Sequence, residues 1–158
     1  MKSNQLIAAF LFLCFSVIAQ EKITVESIYS GAFRAKGMDE LQSLKNTNQY
    51  TVLNFDRASR SMQIDLYDFA TLKKVSTLID SKNHKDLAEG IDSYVFSADE
   101  KMILIANSSI QIFRHSFTAD YFLYDTTTKN LTKLFDFQVQ EPTFSPDGKK
   151  IAYAKENN

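Results

Sequence analysis

Through most of the chain from Tyr50 onward, apolar and polar residues alternate over short stretches instead of recurring every three or four positions. That is the two-residue period of strands with one face turned to a core. Strands are expected at Tyr50 to Phe55, Met62 to Tyr67, Met102 to Ala106 and Lys150 to Ala154, where β-branched or aromatic residues lie between polar turn-forming clusters. Only Met38 to Lys45 and His84 to Glu89 invite a short helix. The predicted class is all-β.

Internal repetition sharpens this. The run Tyr94-Val-Phe-Ser-Ala-Asp-Glu-Lys-Met-Ile-Leu-Ile-Ala106 recurs as Pro142-Thr-Phe-Ser-Pro-Asp-Gly-Lys-Lys-Ile-Ala-Tyr-Ala154, and 48 residues separate Phe96 from Phe144. That period suits one blade of a β-propeller. A second repeated element, Leu66-Tyr-Asp-Phe-Ala-Thr-Leu-Lys73 and Leu123-Tyr-Asp-Thr-Thr-Thr-Lys-Asn130, closes a strand on an Asp and turns through small polar residues. Both read as outer-blade hairpins, while Ser-x-Asp-Gly-Lys reads as a tight turn whose Asp can bond its own backbone and whose Gly tolerates positive φ.

These repeats predict a partial β-propeller. A degenerate blade is expected around Tyr50 to Ile79, a fuller one around Tyr94 to Phe137, and the first strand of a third near Lys150. The expected organisation is a signal peptide over 1–19, an N-terminal segment over 20–49 and an incomplete propeller over 50–158. Propellers typically need four to eight blades, so the expectation is a fold truncated before completion.

The leader rests on Lys2, the mostly apolar run Leu6 to Ile18 and the small-residue ending Val17-Ile18-Ala19, with cleavage expected after Ala19. The run falls short of the ~20 residues of a spanning helix. Export to the periplasm or medium follows as an expectation. The one cysteine, Cys14, lies in the leader and has Phe12-Leu13 before it instead of a lipobox, so the mature chain has no disulfide framework.

Composition is that of an ordered chain, with 44% hydrophobic, 13% aromatic and 23% charged residues. Net charge is −1 for the whole chain, and loss of Lys2 takes the mature form near −2. Basic residues are scattered among acidic ones, which argues against a nucleic-acid partner.

Little of the usual catalytic chemistry can be assembled. The four glycines, Gly31, Gly37, Gly90 and Gly148, provide no Gly-x-Ser-x-Gly elbow and no phosphate loop. The two histidines, His84 and His115, are far apart and have no clustered ligands, so neither a metal nor any other cofactor is expected. The segment that stands out is Ile112 to Asp125, where Arg114-His115 interrupts an aromatic-rich strand pair. Arg114 is the candidate binding residue, because a planar, permanently charged guanidinium can grip a carbonyl or carboxylate. The plainer alternative is a surface arginine at a hairpin.

Arg114-His-Ser-Phe-Thr-Ala, followed by Tyr124-Asp125, resembles the Arg-His-Ser-Tyr-x-Ala motif of dipeptidyl peptidase IV-like propellers, in the prolyl oligopeptidase clan of serine peptidases. Ile23 to Phe33 is similar to that family's N-terminal segment, and Pro142 to Lys149 to its following blade. The resemblance spans Glu21 to Asn158. It implies an eight-bladed propeller capping an α/β-hydrolase domain in a secreted exopeptidase, with release of X-Pro or X-Ala dipeptides from peptides with a free N-terminus. It also implies that Arg114 contacts the substrate backbone, that His115 and Ser116 support the loop, and that the full-length enzyme could form a homodimer. The family's paired glutamates and its Ser, Asp and His triad have no counterpart in this sequence, so the chain alone is expected to be inactive. Phe117 stands where Tyr is common. The alternative function is a non-enzymatic exported propeller that binds peptide or protein, since blade grammar does not dictate activity.

Overall fold

In the computed structural model, which describes residues 23–33 and 40–155, the alternation closes into hairpins. Two units are distinguished, Met1–Gly37 and Met38–Asn158. The proposed signal peptide and cleavage site lie outside the described residues. In the first unit a five-residue helix α1 (Val25–Tyr29) opens on a capping box. Thr24 Oγ1 accepts the Ser27 N–H at 3.1 Å, and Ser27 Oγ accepts the Thr24 N–H at 2.9 Å, which satisfies two amides that a helix start leaves unpaired.

The second unit is built of antiparallel meanders. The first sheet runs β1 (Leu41–Ser43), β2 (Gln49–Asp56), β3 (Ser61–Asp68) and β4 (Lys74–Asp80), each strand beside the next. The second runs β5 (Ser93–Phe96), β6 (Met102–Phe113), β7 (Ser116–Asp125) and β8 (Leu131–Lys133) in the same manner. A hairpin of β9 (Gln140–Phe144) and β10 (Ile151–Ala154) follows. Propeller blades are four-stranded meanders following one another along the chain, and the unit, with two such sheets and a further hairpin, is a partial propeller.

All four stretches read as strands are strands. Met38 to Lys45 is a correction: among its described residues Leu41–Ser43 is a strand, not a helix, paired through Leu41↔Val52, Gln42↔Thr51 and Ser43↔Tyr50. Its local pattern is too short to carry a period, and pairing with β2 overrides helix propensity. His84 to Glu89 does hold a turn of 3-10 helix, at Lys85–Leu87. The Lys150 to Ala154 stretch pairs with a strand on the other side of its turn, Ile151↔Phe144 and Ala152↔Thr143.

The repeated motifs fold alike, bond for bond. Ser97 Oγ donates to Asp99 at 2.7 Å and accepts the Met102 N–H at 3.0 Å, while Asp99 accepts the Lys101 N–H at 3.2 Å. In the second copy Ser145 Oγ donates to Asp147 at 2.5 Å and accepts the Lys150 N–H at 3.0 Å, and Asp147 accepts the Lys149 N–H at 3.2 Å. These bonds stabilise the ionised form, the serine hydroxyl contributing most, and hold both carboxyls below their usual range. The outer hairpins match too: Asp68 accepts the Thr71 N–H, and Asp125 accepts those of Thr127 and Thr128. Both carboxyls are lowered, chiefly by backbone bonds from Thr71 and Thr128.

The second sheet is buried on both faces, which orders the unit. On β6, Ile103 and Ile105 join Ile64 and Ile79 of the first sheet in one cluster, with Tyr94, Phe122 and Tyr124. The intervening Leu104 and Ala106 point the other way, to Val139, Ala119 and Tyr121, with Phe144 and Ile151 of the third hairpin packed alongside. Successive side chains of one strand thus seal two blade interfaces. Buried hydroxyls are paired across the first of them: Tyr94 Oη lies 2.8 Å from Thr51 Oγ1, and Tyr124 Oη donates to the Leu78 carbonyl at 2.8 Å. The other face of the first sheet holds a polar cluster beside the stacked Tyr50 and Tyr67 rings. Asp65 there accepts from Asn54 at 2.9 Å and Thr77 at 2.8 Å and pairs with Lys74 at 2.7 Å.

Candidate functional site

Beyond the short β5, the hairpin of β6 and β7 continues as an arm, and its construction sets the position of Arg114. One extra residue is inserted between Asn107↔Asp120 and Ile110↔Thr118, and another between Gln111↔Phe117 and Phe113↔Ser116. Such bulges bend and twist a strand. At the first, Ser108 takes a φ of 56°. Arg114 and His115 form the two-residue turn at the tip, between the paired Phe113 and Ser116.

The base of the arm is tied on several sides. Asn107, buried, donates to the Gly90 carbonyl at 2.5 Å. Ser108 Oγ donates to Glu89 at 2.7 Å, and the Ser109 N–H donates to Asp92 Oδ2 at 2.8 Å. Gln138, from the connection toward β9, donates to the Ser108 carbonyl at 3.0 Å and accepts from Thr118 Oγ1 at 3.0 Å. At the tip, Gln111 Nε2 donates to the Phe113 carbonyl at 3.2 Å. These bonds give the exposed Arg114 a held backbone.

A groove of about 460 Å³ lies along this arm, lined by Asp92, Ser93, Ser109, Gln111, Arg114, His115, Ser116 and Phe117. The three residues singled out in the sequence therefore come together on one concave surface. Arg114 and His115 are exposed, and Ser116 and Phe117 are half-buried. Phe117 also packs on the Leu104–Val139 cluster, so its ring both lines the groove and anchors it. Tyr124 and Asp125 belong to the scaffold instead, one bonded to the first sheet and the other closing a hairpin. His84 is elsewhere, edge-on to Tyr124 with ring centroids 5.8 Å apart.

The arrangement combines a fixed cation, hydroxyl and amide groups and an aromatic wall, which suits an extended chain of alternating carbonyls and side chains. Sequence reasoning missed Asp92, Ser93, Ser109 and Gln111. They reach the groove through strand pairing and a bulge, which no short motif encodes.

Residues 97–158 match the family described as "Dipeptidyl peptidase IV (DPP IV) N-terminal region". The crystal structure of Porphyromonas gingivalis dipeptidyl peptidase 4 superposes with a TM-score of 0.71 at 29% identity, over 88% of this chain and 20% of that one. The chain resembles the N-terminal region of dipeptidyl peptidase IV. Among curated relatives of this region, dipeptidyl aminopeptidase B of Saccharomyces cerevisiae is 28% identical over 108 residues, 68% of this chain and 12% of the yeast protein. Dipeptidyl peptidase 4 of Felis catus is 29% identical over 85 residues, 52% of this chain and 11% of the cat protein. The chain thus spans about an eighth or less of these two relatives. Among its described residues no helix is long and apolar enough to cross a membrane.

Proposed function

We propose that this chain is the peptide-admitting propeller portion of an exported serine exopeptidase that releases N-terminal X-Pro or X-Ala dipeptides. Hydrolysis would be supplied by an α/β-hydrolase domain in the longer protein. The observation that carries this reading is the Arg114-His115-Ser116 turn, presented at the tip of a braced arm over a groove. The relatives named above, two dipeptidyl peptidases and a dipeptidyl aminopeptidase, support it.

In this reading Arg114 donates hydrogen bonds to a carbonyl of the bound peptide, and a guanidinium does this without needing a particular pH. His115 and Ser116 shape the turn. Phe117 offers an apolar wall to a side chain. Nucleophilic attack would come from the hydrolase domain.

The test is Arg114→Ala in the full-length protein, read with a Gly-Pro-linked chromogenic substrate. Loss of a charge-assisted bond to a substrate carbonyl, worth ~1.5–3 kcal/mol, predicts a fall in kcat/KM of roughly 10- to 100-fold with unchanged thermal stability. An unchanged kcat/KM would remove Arg114 from the binding machinery.

A further inference from the structure

The groove beneath Arg114 carries a second charge that the reading so far leaves unused. Asp92 stands just before β5 and is exposed, and its carboxylate lines the same concavity as Arg114. The described residues form two ion pairs, Lys74 with Asp65 and Lys133 with Asp120, and neither involves Asp92 or Arg114. The two opposite charges thus line one groove without forming an ion pair with each other. Asp92 is also fixed in place, because its Oδ2 accepts the Ser109 N–H at 2.8 Å. That bond uses one acceptor position of a group that has about four.

We propose that Asp92 is a specificity-determining residue of this groove, holding a cationic group of the same peptide whose carbonyl Arg114 grips. The proposal rests on the peptide-binding reading above and deepens it. An extended peptide offers both partners along one backbone, a carbonyl for the guanidinium and, on a lysine or arginine side chain or a free amino end, a cation for the carboxylate. Asp92 is open to water, so its contribution is modest and screened by salt. Glu89, the neighbouring acid, is engaged by Ser108 Oγ and lies outside the groove lining.

The experiment is an NMR titration of the full chain with three probes: an acetylated, amidated pentapeptide with one central lysine, the same peptide with norleucine in that place, and the norleucine peptide with a free amino end. They are run on the native sequence, on Asp92→Asn and on Arg114→Ala, at low and at raised salt. Asparagine can still accept the Ser109 N–H, so Asp92→Asn keeps the local fold, and its amide spectrum serves as the control. The expected result is that a cationic probe binds about threefold to fivefold more tightly than the neutral one, and that this advantage disappears in Asp92→Asn and at raised salt.

An advantage confined to the lysine probe identifies a side chain as the cation, and one confined to the free-amino probe identifies the peptide end. A cationic advantage that survives in Asp92→Asn, or no advantage in the native chain, overturns the proposal. Arg114→Ala separates the two levels. If it weakens all three probes while Asp92→Asn changes nothing, the groove binds peptide and the role of Asp92 is wrong. If it changes none of them, the peptide-binding reading itself fails.

Discussion

At the scale of single residues, the two copies of the Phe-Ser-x-Asp-x-Lys turn differ where the backbone is least tolerant. Both place their fifth residue at positive φ, 68° at Gly148 and 60° at Glu100. Glycine adopts that region freely, and other residues do so at a cost. Glu100 offsets its cost by reaching the first sheet: its carboxylate accepts the Lys45 N–H and, at 3.0 Å, the Asn46 side-chain amide. Glu100→Gly therefore trades a latch for relief of strain and should stay within about 1 kcal/mol of the parent in urea unfolding, whereas Glu100→Ala loses the latch and keeps the strain, falling lower by roughly a further 1 kcal/mol. A Cβ at Gly148 would meet nothing closer than Ser97 Cβ at 3.9 Å. Its substitution by alanine should thus cost only the backbone term, about 1–2 kcal/mol. Equal stabilities for the Gly and Ala variants at position 100 would contradict this account.

Residue types also explain what could be read before the fold was known. Arg114, the Ser-x-Asp turns and the Asp68 and Asp125 hairpins announce themselves because their chemistry is local, a few bonds within six residues. Asp92 has no such signature: it enters the groove because the backbone of Ser109, 17 residues on, folds back to it.

At the scale of elements, β6 shows two regimes in one strand. From Ile103 to Asn107 it is buried on both faces, and from Ser109 to Phe113 it is exposed. The first half was legible as an unbroken run of apolar strand formers, Met102-Ile-Leu-Ile-Ala106, because a core cluster lies on each face. In the arm the sequence Asn107-Ser-Ser-Ile-Gln-Ile-Phe113 keeps strand-forming residues with little core to bury them, and the bulges were not readable from pattern alone. The Ile105 side chain is fully buried and that of Ile110 is 60% exposed. Ile105→Ala should therefore destabilise by about 2–5 kcal/mol in denaturant unfolding, and Ile110→Ala by less than about 0.5 kcal/mol. Similar losses at both positions would mean that the arm is packed against something these contacts do not include. Strand β9 carries Pro142 without breaking, because Glu141 takes a φ of 45° at an irregularity of the β9–β10 pairing, where a missing N–H is tolerated. The strand β1 was missed for the opposite reason, having three residues and no period of its own.

At the scale of the molecule, the blades are held by apolar burial pinned with a few buried hydroxyls. Tyr94 is the largest of these, fully buried between the first and second sheets and bonded to Thr51. Burial pushes its phenol up to about 12, with the Thr51 bond acting in the opposite sense and Glu40 adding to the rise. Because the folded value lies above the ordinary 10, folding favours the neutral phenol. The associated stability is intact below pH 10 and is lost as pH climbs through about 12. Tyr94→Phe should cost about 1–2 kcal/mol at neutral pH by leaving the buried Thr51 hydroxyl only its long 3.4 Å bond to the Gln42 carbonyl, and should flatten the loss of stability on the alkaline side. Tyr121 and Tyr124, also raised by burial, keep part of that slope. An unchanged alkaline profile would show that Tyr94 is not the group that titrates.

The same scale holds the central functional claim, that this propeller portion serves a peptidase whose chemistry lies in another domain. The most direct measurement compares dipeptide release from a Gly-Pro-linked chromogenic substrate by this 158-residue chain and by the product of the same locus read through beyond Asn158. The account predicts release by the longer product and none by the chain alone. No release by the longer product would contradict it and favour a propeller that binds peptides without cutting them.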